Sequence, residues 1–214
     1  MKIGIIGSGS VAQALGAGLQ RKGHDVMLGT SNPSKLADWA GGSGGVRIGS
    51  MADTAAHGEL AILAVKGSAA VDAIRAAGPA ALAGKTVIDT GNPIADKPPV
   101  NGVLQFFTGP NESLLETLQA EFPAIRFVKA FNSVGAAHMV DPAFAGGPPT
   151  MFIAGNDDAA KAGVAALLGQ VGWDVADMGS AVAARAIEPL CMLWCIPGLL
   201  RNEWTHAFKL LKPN

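Results

Sequence analysis

The sequence predicts an α/β fold in which helices cover both faces of a parallel sheet. Two observations lead to this prediction. Short apolar runs typical of buried strands alternate along the chain with segments whose apolar residues recur at helical spacing. In addition, the first apolar run, "KIGIIG", ends in a glycine-rich turn that is followed by a helical pattern.

The first helix is predicted from Ser10, because Val11, Leu15 and Leu19 form one apolar stripe that reaches about Lys22. Further strands are predicted in the runs "HDVMLG", "VRIG", "ELAILAV", "KTVIDT", "AIRFVKAF" and "PTMFIAG". An alanine-rich helix is expected between "ELAILAV" and "KTVIDT". This alternation of strands and helices is typical of a doubly wound sheet.

Two further helices are expected near 114–121 and 157–168, after the proline-rich stretch "GNPIADKPPVNG". The last thirty residues are helical in composition, and a break is expected at Pro197-Gly198 because proline cannot continue the hydrogen-bond ladder. The predicted division is a nucleotide-binding domain over residues 1–180 and a small C-terminal helical segment over residues 181–214.

Composition and charge argue against several classes of function. The net charge of −1 gives no support for binding to nucleic acids or anionic membranes. No secretion signal is recognised, and the longest apolar stretch, near Leu190 to Leu200, is too short to span a bilayer. Cys191 and Cys195 have no histidine or carboxylate cluster beside them. We therefore expect a cytoplasmic protein with neither a metal site nor a membrane partner.

The glycine-rich turn has the pattern G-x-G-x-x-A of dinucleotide-binding domains. Gly7 permits the tight turn, Gly9 lets the backbone approach a pyrophosphate, and Ala12 is small enough for the helix to pack on the strand. Exposed N–H groups at the start of the helix attract anionic oxygens. The alternative is a tight turn that binds nothing. We predict a cofactor-phosphate site formed by Gly7, Ser8, Gly9, Ser10 and Val11.

The segment after the second strand indicates which dinucleotide is bound. NAD-binding domains carry a carboxylate about twenty residues beyond the glycine turn, where it binds the ribose hydroxyls. This chain has "GTSNPSK" there, whose hydroxyls, amide and ammonium can bind a 2′-phosphate instead. In the alternative interpretation this segment only caps the next helix. The sequence favours NADP(H), with the phosphate held by Thr30, Ser31, Asn32 and Lys35.

Four stretches resemble the coenzyme F(420)-dependent NADP oxidoreductases: "KIGIIGSGSVAQALGAGLQRKGHDVMLGT", "KAFNSVGAAHM", "AGNDDAAKAGVAALLGQVGWDV" and "RAIEPL". The resemblance implies a Rossmann-type, doubly wound parallel sheet with a small C-terminal helical part, and a homodimer. It also implies hydride exchange between NADPH and an 8-hydroxy-5-deazaflavin. Members of the family often carry arginine where this chain has Ser31. The nicotinamide would be surrounded by residues at the ends of later strands: Val65, Asn92, Ala130 and Asn132.

The co-substrate stays open between a deazaflavin and a flavin, because the similar domain of the six-transmembrane metalloreductases reduces flavin. Hydride transfer between two rings depends on positioning rather than on a proton donor, and the chain has no tyrosine. In one alternative, an NADPH-dependent reductase acts on a small imine or carbonyl with His138 as the acid. In another, the protein is a non-catalytic NADP(H)-binding sensor. The expected substrate pocket contains Asn132, His138 and Met139.

The C-terminal segment carries more apolar residues than one sheet can cover. The residues concerned are Leu190, Met192, Leu193, Trp194, Ile196 and Leu199. Because such an excess of apolar surface favours a partner, we expect a homodimer contact between Ala181 and Phe208. The alternative is a helix that is fully buried within its own chain.

Overall fold

The computed structural model describes residues 1–213, apart from the side chain of Lys35. The strands are β1 (Lys2–Ile6), β2 (Asp25–Gly29), β3 (Arg47–Gly49), β4 (Leu60–Leu63), β5 (Thr86–Asp89), β6 (Arg126–Lys129), β7 (Thr150–Gly155) and β8 (Asp174–Asp177). The α-helices are α1 (Ser10–Arg21), α2 (Ala37–Gly42), α3 (Met51–His57), α4 (Ala70–Ala77), α5 (Pro79–Leu82), α6 (Leu114–Glu121), α7 (Asp158–Gln170), α8 (Ala184–Ile187) and α9 (Pro189–Arg201). Short 3-10 helices span Pro33–Leu36, Gly67–Ala69, Ala136–His138 and Ala181–Ala183.

Within the described residues the strands form one eight-stranded sheet in the order β3-β2-β1-β4-β5-β6-β7-β8. This confirms the predicted Rossmann-type α/β fold, with one difference: β7 runs antiparallel to β6, with Lys129 opposite Ala154. A parallel neighbour is normally reached through a helical crossover. The connection from β6 to β7 contains only the 3-10 helix Ala136–His138, and β7 pairs in the opposite direction.

Two apolar cores lie on opposite faces of the sheet, because successive side chains of a strand point to opposite sides. In β1, Ile3 and Ile5 belong to the core covered by α1 and α7, whereas Ile6 belongs to the other core. That second core is covered by α4, α6 and α8. The alternation explains why near-continuous apolar runs in the sequence correspond to central strands.

Two expectations for the C-terminal region are wrong. Helix α9 continues through Pro197 to Arg201, because its side chains pack on the chain that follows it: the Trp194 and Trp204 rings lie 5.6 Å apart. Beyond Asn202, which ends the helix with a left-handed φ of 57°, residues 203–213 are not helical. This stretch binds the sheet instead, where the N–H of Thr150 donates to the carbonyl of Phe208.

The helical run Ala181–Arg201 is long and apolar enough to cross a membrane, with 21 residues and a mean hydropathy of 1.4. The stretch near Leu190 to Leu200, which was expected to be too short to span a bilayer, lies within this longer run, in which 3-10 and α-helical turns join into one segment. Core helices of soluble proteins have the same length and composition. Here Glu188 is buried and Arg185 pairs with Glu116 at 2.7 Å, so charged side chains attach the run to the sheet and α6.

Burial of His24 at the start of β2 makes stability depend on pH. Within the described residues neither ring nitrogen has a hydrogen-bond partner. Burial and the N-terminal ammonium lower the pKa of His24 below its usual value of 6.5, and Gln170 opposes the shift without reversing it. The unfolded chain therefore binds a proton at a higher pH than the folded chain does, and stability falls as the pH decreases below about 6.5.

We expect the free energy of unfolding in urea to fall between pH 8 and pH 5.5, and to fall less in His24→Leu, which cannot be protonated. The comparison of the two proteins isolates His24 from other titrating groups. An equal fall in both would show that His24 does not contribute.

Candidate cofactor-binding site

A cleft of about 620 Å³ lies at the carboxyl ends of the central strands. Strands β2 and β3 lie on one side of β1, and β4, β5 and β6 lie on the other, so the order of the sheet reverses at β1. Open α/β sheets bind ligands at such a switch point. The cleft is lined by Ser8, Gly9, Ser10, Val11, Ala64, Val65, Lys66, Gly67, Ser68, Thr90, Gly91, Asn92, Ile94, Ala95 and Asp96.

The glycine turn forms one end of this cleft. Gly7 has a φ of 144°, and its N–H donates to the carbonyl of Gly29 at 2.8 Å. A Cβ at Gly7 would lie 2.1 Å from the carbonyl oxygen of Ala64. A Cβ at Gly9, by contrast, would meet nothing within 4 Å, and Gly9 is the N-cap residue of α1. Gly7 is thus required by the protein backbone, while the space at Gly9 is open to a ligand.

The segment after β2 lies beside the glycine turn, since Gly29 accepts the Gly7 hydrogen bond. Thr30 is buried, and its hydroxyl accepts from the N–H of Asn32 at 3.1 Å. Ser31 and Asn32 are exposed. Asn32 precedes the 3-10 helix Pro33–Leu36 without capping it through its side chain. The predicted Lys35 side chain lies outside the described residues.

At the other end of the cleft, two amide side chains join the ends of β5 and β6. Asn92 donates to the carbonyl of Asn132 at 2.7 Å, and Asn132 donates to the Asn92 side-chain oxygen at 3.1 Å and to the carbonyl of Ile187 at 2.9 Å. The Oδ1 atom of Asn132 is buried and has no hydrogen-bond partner within the described residues. Ala130, also predicted here, is fully buried. Among the described residues the amide pair therefore holds one buried acceptor without a partner.

A buried charged cluster lies behind this amide pair. The Lys129 ammonium contacts Asp89 Oδ2 at 2.5 Å, the carbonyl of Gly91 at 2.8 Å and Glu188 Oε1 at 2.8 Å. Burial lowers the pKa of Lys129, but the two carboxylates outweigh burial and raise it above its usual value, so that the ammonium stays charged. This cluster was not predicted from the sequence, because two of its members end different strands and the third lies between α8 and α9.

The structure does not bring His138 or Met139 to the cleft lining. The ring of His138 packs against Phe144, with the ring centroids 5.2 Å apart. Met139 is buried in the core beside α1 and α7, and its carbonyl accepts from the Trp173 indole at 2.9 Å. Of the three residues expected in the substrate pocket, Asn132 is the one that hydrogen-bonds to a cleft residue, Asn92, among the described residues.

Several cleft residues were absent from the sequence-based predictions. They follow β4 and β5 directly, and the carboxyl ends of parallel strands could have indicated them. Among them, Lys66 and Asp96 bring charge to the cleft, and Gly67 packs against the next loop, where a Cβ would lie 2.0 Å from the carbonyl oxygen of Asn92. The proline-rich stretch over residues 91–102 contributes its first residues to the cleft, and Ile94 in it pairs with Phe106 beyond it.

Comparisons with known proteins identify the family to which this chain is similar. The family model described as NADP oxidoreductase, coenzyme F(420)-dependent, matches residues 2–93. A crystal structure from Arthrobacter sp. FB24, provisionally assigned as an F(420)-dependent NADP reductase, is 35% identical with a TM-score of 0.92, over 99% of this chain and 100% of that one.

More distant relatives have different lengths. Metalloreductase STEAP3 of Rattus norvegicus is 31% identical over 204 residues, which are 93% of this chain and 39% of that protein. The chain thus spans about two-fifths of this curated relative. A Streptomyces aurantiacus imine reductase is 17% identical with a TM-score of 0.68, over 94% of this chain and 63% of that one. At this identity the likeness shows the fold alone.

Proposed function

Because this chain belongs to the coenzyme F(420)-dependent NADP oxidoreductase family and is an NADP-dependent oxidoreductase, we propose that it exchanges a hydride between NADP(H) and a deazaflavin or flavin. One observation carries the choice of co-substrate. Among the described residues, the cleft lining combines a phosphate-binding turn with backbone and amide groups and includes neither histidine nor tyrosine, and its one ammonium, that of Lys66, is exposed at the rim. Such a lining can position two rings, whereas reduction of a carbonyl needs a proton donor near the new alkoxide.

The cleft residues fit a dinucleotide. The open space at Gly9 and the N–H groups at the start of α1 suit the pyrophosphate. From there the sheet order supports an adenosine ribose toward Thr30, after β2, and a nicotinamide toward the ends of β5 and β6. The Asn92 side chain, which lines the cleft and is held by Asn132, suits the carboxamide of the nicotinamide as a polar partner.

In this proposal the bound NADPH supplies the hydride, and the protein supplies geometry. The Asn92–Asn132 pair orients the ring end of the cofactor through the Asn92 side chain, which lines the cleft. Ile94 and Ala95, from the proline-rich loop, contribute apolar surface to the cleft lining. His138 packs on Phe144 outside the cleft lining, which argues against its role as the acid of an imine or carbonyl reductase.

Stopped-flow absorbance tests the proposal. NADPH is mixed with the protein and an oxidised deazaflavin, FMN or FAD, and we expect rapid loss of the absorbance band of at least one acceptor. Oxidation of NADPH with imines or carbonyls alone would favour the reductase alternative. Tight binding of NADPH without turnover on any acceptor would favour the sensor.

The 2′-phosphate is expected at the exposed segment after β2. Ser31→Arg should strengthen NADPH binding by about tenfold and leave NADH nearly unchanged, because a guanidinium can engage two phosphate oxygens together. Lys35→Ala should weaken NADPH binding by about tenfold if its ammonium reaches the phosphate. Binding of both nucleotides to all three proteins at one ionic strength checks this. Preference of the unmodified protein for NADH would overturn the assignment.

We also propose that α9 forms a homodimer contact. Leu193, Leu199 and Leu200 are exposed on it, whereas Trp194, which was expected at the contact, is buried against Trp204 and His206. Sedimentation should show a dimer at micromolar concentration. Replacement of Leu193 by Glu should produce a monomer, since it would bury a charge at the contact.

The matched control for this contact is Leu211→Glu, which changes another exposed leucine outside α9 and should remain dimeric. A monomeric unmodified protein, or equal behaviour of the two variants, would contradict the assignment of the contact to α9.

A further inference from the structure

The buried cluster of Asp89, Lys129 and Glu188 carries two carboxylates and one ammonium, and therefore a formal charge of −1. Each of the three side chains is at most 2% exposed. Isolated charges inside a protein are costly, and a net charge is normally neutralised or compensated. Here the compensation comes from backbone N–H groups: Gly91 donates to Asp89, and Leu114 and Leu115 donate to Glu188. These dipoles offset part of the excess charge without removing it.

The cluster lies directly behind one end of the cleft. Asp89 and Lys129 hold both polar groups of Gly91, which lines the cleft, since Asp89 accepts from its N–H at 2.8 Å and Lys129 donates to its carbonyl. Asn132 donates to the carbonyl of Ile187, the residue before Glu188. The negative charge is thus fixed beneath the amide pair, at the end of the cleft opposite the 2′-phosphate segment.

Water screens this charge less than it screens the exposed charges of the cleft, such as Lys66 on its rim. The oxidised and reduced nicotinamide rings differ in charge. Loss of a hydride, one proton with two electrons, turns the neutral dihydronicotinamide into a cation, while the acceptor gains the hydride. A nearby negative charge therefore stabilises the oxidised ring relative to the reduced one.

We propose that Asp89, Lys129 and Glu188 act as positioning residues that set the redox preference of the bound cofactor. Their net negative charge tightens binding of NADP⁺ relative to NADPH and so makes bound NADPH a stronger hydride donor. The inference rests on the proposed function only in that NADP(H) occupies the cleft with its nicotinamide toward Asn132. It does not depend on which acceptor receives the hydride.

The test measures dissociation constants of NADP⁺ and NADPH for each protein. The variants Glu188→Gln and Asp89→Asn each remove one negative charge that is paired with Lys129. Each should weaken NADP⁺ relative to NADPH by about tenfold, or about 30 mV for this two-electron couple. Lys129→Met adds to the net negative charge and should change the ratio in the opposite direction. A purely structural role would weaken both nucleotides equally and leave the ratio unchanged.

The matched control is Glu121→Gln, which removes the same charge from an exposed side chain at the far end of α6. Its ratio should equal that of the unmodified protein. In the unmodified protein NADP⁺ should bind at least as tightly as NADPH, a measurement that needs no variant. A marked preference for NADPH, or an unchanged ratio in the folded cluster variants, would overturn the inference. Failure to bind either nucleotide would instead overturn the proposed function.

Discussion

Replacement of Gly7 by alanine should destabilise the whole protein, whereas the same replacement at Gly9 should impair cofactor binding alone. A side chain at the φ of Gly7 costs about 1–3 kcal/mol in backbone strain. The new Cβ would also lie 2.1 Å from the Ala64 carbonyl oxygen, which forces β1 and β4 apart at a further cost of about 1–3 kcal/mol. We expect the melting temperature to fall by about 10 °C.

Gly9 is the matched control for the same turn. Its φ of −77° and ψ of −177° are available to alanine, and a Cβ there meets no protein atom within 4 Å. Gly9→Ala should therefore melt within a few degrees of the unmodified protein and yet bind NADPH at least about tenfold more weakly, because the methyl group occupies the space of the pyrophosphate. Thermal unfolding and NADPH titration of both variants check the pair. Unchanged NADPH binding in Gly9→Ala would show that no phosphate approaches this turn.

Replacement of Lys129 by methionine should be the most destabilising change at the charged cluster. Methionine preserves much of the length of the side chain but leaves the carboxylates of Asp89 and Glu188 without their cation. Removal of one partner from a buried ion pair typically costs about 3–5 kcal/mol. Because both carboxylates are at most 2% exposed, solvent cannot replace the ammonium without a rearrangement of the β5 and β6 ends.

Lys161→Met provides the comparison. Lys161 is also buried, but its partners Asp158 and Asp177 have side chains that are 97% and 49% exposed, so water solvates them after the change. Exposed pairs contribute about 0–1 kcal/mol. Chemical denaturation of the two variants should separate them by several kcal/mol. Similar losses in both would mean that the buried cluster is not the origin of the effect.

Much of the nucleotide-binding half was predictable from the sequence because its signals are local. A strand that is buried on both faces appears as a continuous apolar run, and a helix that covers it shows a stripe, as with Leu15 and Leu19. The glycine turn encodes its own conformation, since a φ of 144° at position 7 is suited to glycine alone. The lack of an acidic residue near Thr30 is equally local. The NADP-dependent class and the conformation of the glycine turn could therefore be predicted before the fold was known.

The tertiary structure alone decided what depends on the approach of distant segments. The antiparallel direction of β7 depends on how this strand pairs with β6, which its own apolar run does not indicate. Helix α9 continues through Pro197 because tertiary packing overrides the local tendency of proline to end a helix. Met139, which the sequence suggested for the pocket, is drawn into the core by the same forces.

The charged cluster shows this division most clearly. Asp89 and Lys129 lie 40 residues apart, and each occupies the last position of its strand. Only the register of β5 against β6 makes them neighbours, and only the docking of α9 brings Glu188 to them. Side-chain periodicity determines which face of a strand is buried, because it repeats within a few residues. The identity of the charges that meet there depends on strand order and register, which the full set of packing contacts determines.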